Sequence, residues 1–231
     1  TYKCKVAETA ALLSMADILR YFTDAAEALD YLGRPIHRAN DQTVRIQHRD
    51  VKPGNLLVQG DAVKVADFGL AMALGNVIEP DSGSMTVAYA PPEFFRSQTS
   101  LTSDQYSLGI SYCQLRTGQL PFQGNTSEII NGHLRGIPDL TELTPEERPV
   151  VLRALSKDPF DRWNGCVKFI GELRKATADL VPLEADPDRD AHTHTAPTLF
   201  QGRQVNTGQL VVGHQSTGMS PTRTEVSAQI A

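Results

Sequence analysis

Apolar residues recur at helical intervals near the start of the chain, spaced 4, 3, 4 and 3 residues apart, so that they share one face of a helix. They are Ile18, Phe22, Ala25, Leu29 and Leu32. Ser14, with Asp17 three residues later, is the start signal known as a capping box, and Gly33 followed by Pro35 is a stop signal. The pattern therefore predicts a helix from about Asp17 to Leu32.

Four more helices are predicted after residue 100. One covers about residues 103–116, another begins near Thr126, and the last covers about residues 164–180. Between them, the stretch TPEE carries a capping box in which Thr144 is the N-cap and Glu147 closes the box. The chain up to about residue 182 is thus expected to be mostly helical.

A β-hairpin is predicted in LLVQGDAVKVADFG, where two short apolar runs flank Gly60-Asp61. A three-residue loop at 60–62 would pair residue 56 with 66 and residue 58 with 64. That register sets Asn55 opposite Asp67, with their Cα atoms about 4.5–5.5 Å apart. Their amide and carboxylate oxygens suit Mg²⁺, which shares its shell with water and phosphate oxygens. We therefore expect a magnesium site at the open end of the hairpin.

Two segments are predicted to lack regular structure. Residues 34–45 are polar and irregular, which is typical of a loop. From about Pro182 the composition shifts to Thr, Pro, Gly, Gln and Ser without a sustained period, so residues 182–231 are predicted to form a disordered tail or linker. The chain does not begin with methionine, and we expect it to be a piece of a longer protein.

Composition adds limits on the class of protein. The 231 residues are 40% hydrophobic and 21% charged, which allows a sizeable core. The net charge of −5 argues against a nucleic-acid partner. Three widely spaced cysteines, Cys4, Cys113 and Cys166, suit a reducing compartment, and no apolar run has the length of a membrane span. A cytoplasmic location is expected, with membrane anchoring of a longer protein left open.

Polar residues cluster in IQHRDVKPGNLLV, directly before the predicted hairpin. They are His48, Arg49, Asp50, Lys52 and Asn55. A carboxylate at Asp50 can orient a hydroxyl nucleophile, while Lys52 offers a positive charge to a phosphoryl group. Phosphoryl transfer needs an aimed nucleophile together with a metal ion and cations that neutralise developing charge. The cluster therefore predicts this chemistry.

These motifs resemble those of eukaryotic-type (Hanks-type) serine/threonine protein kinases, as found in bacteria. Residues 48–55 match the family's H-R-D-x-K-x-x-N loop, and Asp67-Phe68-Gly69 matches its D-F-G motif. The resemblance implies ATP and Mg²⁺ as cofactors. It also implies that Asp50 is the catalytic base, that Lys52 contacts the transferred phosphate, and that Asn55 and Asp67 hold Mg²⁺.

Later motifs extend the resemblance. TVAYAPPE resembles the end of a kinase activation segment, with Glu93 in place of the A-P-E glutamate and Pro91 where the family has Ala. Thr86 then matches the threonine that closes on the catalytic aspartate and lysine in kinases acting on Ser/Thr. SDQYSLG resembles the buried central helix, whose Asp104 would brace the catalytic loop. KDPFDRW resembles the late motif whose arginine, here Arg162, pairs with the glutamate at 93.

Control by phosphorylation is a further expectation from the resemblance. Arg49 precedes the catalytic aspartate, and an arginine at that place can pair with a phosphate on the activation segment. Ser82 and Ser84 in EPDSGSMTV are the candidate phosphorylation sites. The alternative is a polar loop without this role.

The resemblance implies a mainly α fold with a small β-hairpin, the protein-kinase-like C-terminal lobe of an α+β family fold, over residues 1–181. The glycine-rich loop and the strand lysine of the N-terminal lobe are not found in the sequence. We therefore expect the N-lobe to be absent and to be a missing partner, and the chain by itself to be inactive. The other expected partner is a protein substrate bearing Ser or Thr.

Two alternatives to a serine/threonine protein kinase stay open. The first is a non-catalytic kinase-like binding module, although Asp50, Lys52, Asn55 and Asp67 are all present. The second is a small-molecule phosphotransferase, which shares a similar Asp and Asn loop. Against the second stand the D-F-G motif and an activation segment ending in Glu93, which serve a protein substrate.

Overall fold

Helix α1 comprises Met15–Leu32, which confirms the helix predicted from the apolar stripe. Ser14 is its N-cap: the Ser14 hydroxyl accepts a hydrogen bond from the Asp17 N–H at 3.1 Å, and the Asp17 carboxylate accepts one from the Ser14 N–H at 3.4 Å. Phe22 and Ala25 have no exposed surface, because the stripe faces the core. The helix ends at Gly33, whose N–H bonds back to Leu29.

These details come from a computed structural model that describes residues 13–39, 42–60, 62–68, 72–73 and 86–181. The tail predicted at 182–231 lies outside the described residues, and so does Cys4. The other two cysteines, Cys113 and Cys166, are buried as free thiols.

Helix α2, Ser103–Thr117, lies at the centre of the core, since 12 of its 15 residues are buried. A helix that is buried on all sides must satisfy its polar side chains internally. The Ser111 hydroxyl donates to the Ser107 carbonyl at 2.8 Å, and the Gln105 amide donates to the Trp163 carbonyl at 2.7 Å. Gly118, in a left-handed conformation with φ 76°, ends the helix.

Three shorter helices complete the helical part: α3 (Thr126–Arg135), α4 (Glu147–Ala154) and α5 (Cys166–Ala176). A capping box that joins Asn125 and Glu128 starts α3. Before α4 the Thr144 hydroxyl accepts from the Glu147 N–H at 3.3 Å, and the Glu147 carboxylate accepts from the Thr144 N–H at 2.9 Å, which are the two bonds predicted from TPEE. The helix itself begins at Glu147 with Glu146 as its N-cap, so the prediction of Thr144 as the N-cap is wrong.

Helix α5 begins at Cys166 rather than at the predicted residue 164, because its cap comes from another helix. The Asp30 carboxylate on α1 accepts hydrogen bonds from the N–H groups of Cys166 and Val167, at 2.8 and 3.0 Å. A carboxylate is stabilised at a helix N-terminus by the unpaired N–H groups and the helix dipole. This contact fixes α5 against α1, and α5 also packs on α2 and α4.

The described strands form three antiparallel sheets of two strands each. Strand β1 (His37–Ala39) pairs with β2 (Gln42–Val44), and β3 (Ile46–Gln47) pairs with β6 (Met72–Ala73). Strand β4 (Leu56–Gln59) pairs with β5 (Ala62–Val65). The prediction of an irregular loop at residues 34–45 is therefore wrong, since β1 and β2 lie within this segment. Their short, polar segments carry no apolar alternation that would have indicated strands.

The predicted register of the β4–β5 hairpin is also wrong by one residue. Leu56 pairs with Val65 and Gln59 with Ala62, which leaves two residues in the turn instead of three. Gly60 has φ 62°, the left-handed conformation that two-residue hairpin turns require. The Val63 N–H donates to the Asp24 carboxylate on α1 at 2.9 Å and thereby anchors the hairpin on the helical layer.

The predicted fold class is accordingly wrong in its strand content. A mainly α fold with one small hairpin was expected, and the described residues contain six strands in three sheets beside the helices. The strands that were not predicted, β1, β2, β3 and β6, have only two or three residues and are too short to produce a periodic sequence signal.

Candidate active site

Asp104 on α2 fixes the backbone at the start of the loop that runs from residue 48 to residue 55. Its carboxylate accepts hydrogen bonds from the N–H groups of His48 and Arg49, each 2.9 Å long. Arg49 adopts a left-handed φ of 67°, a conformation that persists only where the surroundings impose it. Asp104 is 7% exposed, so these charge-assisted bonds lie inside the protein and supply that constraint.

Four polar side chains meet at this loop: Asp50, Lys52, Asn55 and Thr86. The Asp50 Oδ2 atom lies 2.6 Å from Lys52 Nζ and accepts from Asn55 Nδ2 at 2.9 Å. The other carboxylate oxygen, Oδ1, accepts from the Thr86 hydroxyl at 3.0 Å. Lys52 also donates to Thr86 Oγ1 at 2.7 Å. The Asp50 carboxylate, the Lys52 ammonium and the Thr86 hydroxyl therefore form a closed ring of contacts. We call these three side chains, together with Asn55, the Asp50 cluster.

The Asp50 cluster is shielded but open on one side. Asp50 is 9% exposed and Asn55 is 6% exposed, whereas the Lys52 side chain is 26% exposed. Asn55 also donates to the Asp50 carbonyl at 2.8 Å, so it holds both the backbone and the carboxylate of Asp50. A pre-oriented carboxylate beside a solvent-reaching ammonium can receive a hydroxyl group and a phosphoryl group together.

The end of the hairpin brings Asn55 and Asp67 to the same edge, although not directly opposite each other. The Ala66 N–H donates to the Asn55 carbonyl at 2.8 Å, and Asp67 follows one residue later with a left-handed φ of 64°. Asn55 bonds to Asp50 through its amide nitrogen, which directs the amide oxygen away from Asp50. This oxygen and the exposed Asp67 carboxylate are hard donors of the kind that Mg²⁺ prefers, so these residues fit a magnesium ion.

His48 connects the hairpin to the loop from a fully buried position. Its Nε2 atom lies 3.0 Å from the Ala66 carbonyl, and since a carbonyl only accepts, Nε2 carries the proton. Its Nδ1 atom then accepts from the Asp50 N–H at 3.3 Å. The ring of Phe68 packs edge-on against His48 with centroids 4.9 Å apart. The imidazole therefore ties the residue before Asp67 to the backbone of Asp50.

Glu93 and Arg162 form a buried bidentate ion pair. Both guanidinium Nη atoms donate to the Glu93 carboxylate at 2.8 Å, and both residues are under 5% exposed. The hydroxyl of Ser103, the first residue of α2, donates to the same carboxylate at 2.7 Å. Burial raises the pKa of Glu93, but the hydrogen bonds and charge of Arg162, with Ser103, outweigh burial and hold the pKa below its ordinary value. The pair fixes the segment after Thr86 to the helical core.

Three predicted residues, Gly69, Ser82 and Ser84, lie outside the described part of the chain. Arg49, the predicted phosphate partner of the two serines, has its guanidinium 5.3 Å from the centre of the Phe94 ring.

One contact at the site had no signal in the sequence. Tyr89 is the last residue of the 3₁₀ turn Val87–Tyr89, which follows Thr86. Its hydroxyl donates to Gln114 Oε1 on α2 at 2.5 Å. Its partner is 25 residues away along the chain. No local pattern indicates a pairing over such a separation, because only the tertiary fold brings the two side chains together.

Comparison with known proteins agrees with this geometry. The protein kinase domain family model matches residues 4–178. Serine/threonine-protein kinase PknF of Mycobacterium tuberculosis (strain ATCC 25618 / H37Rv) is 36% identical over 175 residues, which cover 68% of this chain and 34% of that protein. A probable serine/threonine-protein kinase PknB of Lactococcus lactis is 30% identical over 187 residues, which cover 70% of this chain and 30% of that protein. The chain thus spans about a third of the length of these curated relatives.

The family match corrects a further part of the predicted fold. It begins at residue 4, which contradicts the prediction of a C-terminal lobe whose N-lobe is absent. Two N-lobe motifs are missing from the sequence, and such short motifs are a weaker guide than similarity along the whole segment. The expected inactivity of the chain depended on that absence and is withdrawn with it.

None of the helices in the described residues combines the length and the apolar character needed to cross a membrane.

Proposed function

The chain belongs to the protein kinase domain family, and from this premise we propose that the protein is a serine/threonine protein kinase that transfers the γ-phosphoryl group of ATP to Ser and Thr hydroxyls of a protein substrate. The observation that carries the proposal is the Asp50 cluster, in which one carboxylate contacts Lys52, Asn55 and the Thr86 hydroxyl within 3.0 Å. The bacterial relatives of this chain described above are named as serine/threonine-protein kinases.

Asp50 orients the acceptor hydroxyl and takes its proton as the oxygen attacks the γ-phosphorus of ATP, and the bond from phosphorus to the bridging oxygen breaks to release ADP. The Asp50 carboxylate, which contacts Lys52 and Asn55, is the group placed to accept this proton. The carboxylate is also held on both oxygens, by Thr86 on one and by Asn55 and Lys52 on the other. A base fixed in this way aims the nucleophile without reorganisation during the reaction.

Lys52 places a positive charge beside the transferred group. Its ammonium already contacts Asp50 and Thr86, so the cation is fixed at the point where the hydroxyl and the phosphoryl group meet. Charge spreads over the phosphoryl oxygens in the transition state, and a fixed cation lowers the energy of that charge.

Mg²⁺ would be held by Asn55 and Asp67 together with phosphate oxygens of ATP. The metal ion supplies electrostatic neutralisation of the phosphates when it is bound. The protein's contribution is the placement of two hard oxygen donors at the edge of the β4–β5 hairpin. Both are anchored through neighbouring atoms, Asn55 through Asp50 and Asp67 through the adjacent Ala66, whose carbonyl contacts His48.

The acceptor class is tested with the full-length protein, Mg-ATP labelled at the γ-phosphate, and three peptides that differ only in carrying Ser, Thr or Tyr. We expect label on the Ser and Thr peptides, because Thr86 closes over Asp50 and the short side chain of Ser or Thr brings its hydroxyl to that carboxylate. The Tyr peptide should stay unlabelled. Removal of Mg²⁺ with EDTA should abolish transfer.

Two results would contradict the proposal. Label on the Tyr peptide alone would show that the acceptor class is wrong. Nucleotide binding without transfer to any peptide would favour a kinase-like binding module instead.

A further inference from the structure

A buried histidine on α3 lies between the segment after Thr86 and the central helix α2. His133 has no exposed surface. Its ring packs against Phe122 with centroids 4.8 Å apart and against Tyr106 with centroids 5.8 Å apart. Gly132 makes this arrangement possible, because a Cβ at that position would lie 2.8 Å from the Phe122 ring. None of the roles assigned to the Asp50 cluster involves this histidine.

Both ring nitrogens of His133 have partners, and these partners fix its tautomer. Nε2 lies 3.2 Å from the Ala88 carbonyl, which can only accept, so Nε2 carries the proton. Nδ1 therefore accepts from the Tyr106 hydroxyl, 3.0 Å away. A neutral ring in this tautomer satisfies all three groups, which is what a buried polar contact requires.

The charges around His133 favour the same neutral form. Burial, together with the positive charge of Lys157, lowers the pKa of His133 to about 4. The Lys157 ammonium donates to the carbonyl of Gly132 at 2.8 Å and lies 4.4 Å from the centre of the Phe122 ring. The neutral ring therefore persists at neutral pH, and its Nε2–H keeps pointing at the Ala88 carbonyl.

Ala88 is the middle residue of the 3₁₀ turn Val87–Tyr89. The turn is held at three points by three different parts of the fold. Thr86, which precedes the turn, contacts Asp50. His133 on α3 bonds to Ala88, and Gln114 on α2 bonds to Tyr89. The chain of a substrate whose hydroxyl reaches Asp50 must pass beside Thr86 and the residues that follow it. The position of the turn therefore decides how well the substrate segment fits.

We propose that His133 is a positioning residue for the protein substrate: through its Nε2–H it holds the Ala88 carbonyl and so fixes the turn Val87–Tyr89 against which the acceptor segment binds. This inference rests on the proposed kinase activity. It assigns no contact between His133 and substrate or nucleotide. Loss of the hydrogen bond from His133 to Ala88 should therefore raise the KM for the protein substrate and leave the KM for ATP unchanged.

The test compares the full-length protein with His133→Phe, which keeps the packing and removes both hydrogen bonds, and His133→Gln, whose amide N–H can donate to Ala88. His133→Phe should raise the KM for a Ser peptide about fivefold, which is the size expected for one lost hydrogen bond. The KM for ATP should not change. His133→Gln should restore most of the peptide KM.

A matched control separates positioning from stability. Leu173→Ala removes a buried side chain on α5, away from the turn, and should lower Tm without raising the peptide KM. If His133→Phe does not fold, His133→Asn replaces it, since the asparagine amide is too short to reach Ala88. A lower Tm with an unchanged peptide KM in the His133 variants would overturn the inference and leave His133 as a core residue.

Hydrogen exchange provides a readout that does not depend on activity. The Tyr89 N–H bonds to the Thr86 carbonyl at 3.0 Å within the turn. Its exchange should accelerate in His133→Phe and return towards the wild-type rate in His133→Gln. Unchanged exchange would refute the positioning role. If exchange accelerates but no variant or wild-type protein transfers phosphate, the proposed kinase function fails while the structural role of His133 stands.

Discussion

Asp50→Asn is expected to lower kcat for peptide phosphorylation by about 10²–10⁴-fold, the range typical for loss of a general base. Asparagine has the shape of aspartate, but its amide cannot take the proton of the acceptor hydroxyl. Its Oδ1 can still accept from Lys52 Nζ and Asn55 Nδ2, which now contact one carboxylate oxygen at 2.6 and 2.9 Å, so the cluster should keep its arrangement. The loss of activity should therefore come from a slower phosphoryl-transfer step.

Nucleotide affinity provides the internal control for this variant. Asp50 is not among the residues proposed to hold Mg-ATP, so the Kd for Mg-ATP, measured by calorimetry, should stay within about twofold of wild type. Asp139→Asn, which changes an exposed aspartate outside the site, is the matched control and should retain full turnover. Near-normal kcat in Asp50→Asn would mean that the base has been assigned wrongly.

Arg162→Met is expected to produce the largest loss of stability, about 3–5 kcal/mol in the free energy of unfolding, as found when one partner of a buried ion pair is removed. The methionine fills part of the space of the arginine and leaves the Glu93 carboxylate buried beside the Ser103 hydroxyl, without a cation. Urea unfolding measures the loss.

Removing both partners should be less harmful than removing one. The double variant Arg162→Met with Glu93→Gln should recover part of the lost stability, because no unpaired charge then remains buried. Lys168→Ala, which breaks an exposed pair with Glu172, is the matched control and should cause little change. Equal loss in the single and double variants would contradict a role for charge pairing.

The loss in Arg162→Met should also depend on pH. In the wild type the pKa of Glu93 lies below its ordinary value of 4.5, so its contribution is present above that pH and is lost as the pH falls through the lowered pKa. In the variant the hydrogen bonds and charge of Arg162 no longer lower the pKa of Glu93, while burial still raises it against the remaining Ser103 hydrogen bond. The pKa of Glu93 should therefore rise, and protonation should relieve the unpaired charge. The stability difference between the two proteins should narrow as the pH falls from 7 towards 4.5.

Local signals in the sequence predicted the helices well because their determinants lie within a few residues. Ser14 with Asp17 forms the capping box that the sequence indicates, and Thr144 with Glu147 forms the indicated pair of hydrogen bonds just before α4. The start of α5 could not be predicted in this way. Its cap is Asp30, which lies 136 residues before Cys166 in the chain.

The strands were less predictable for a related reason. The β4–β5 hairpin was expected from Gly60, but its register depended on whether the turn has two residues or three, and both choices leave apolar residues on each strand. Among the described residues, strand β3 pairs with β6, in which Met72 lies 25 residues after its partner Gln47 and Ala73 lies 27 residues after its partner Ile46. Pairing over such a distance is set by the fold and not by neighbouring residues.

At the candidate site the residue types could be predicted from motifs, while the contacts that orient them could not. The sequence indicated Asp50, Lys52 and Asn55 together because they lie within one loop. It gave no means of placing the Ala88 carbonyl beside His133, 45 residues later. Thr86 was linked to the loop only through the family resemblance, and the structure places its hydroxyl 3.0 Å from Asp50.

The central claim is that Asp50, Lys52 and Thr86 act as one unit on the acceptor hydroxyl, and a double-mutant cycle on the single-turnover rate tests it most directly. Thr86→Val keeps the branched shape and removes the hydroxyl that contacts both partners. It should slow transfer about tenfold in the wild-type background, the equivalent of about 1.4 kcal/mol. In the Asp50→Asn background it should cause no further slowing, because the unit is already broken. Slowing by the same factor in both backgrounds would contradict the account.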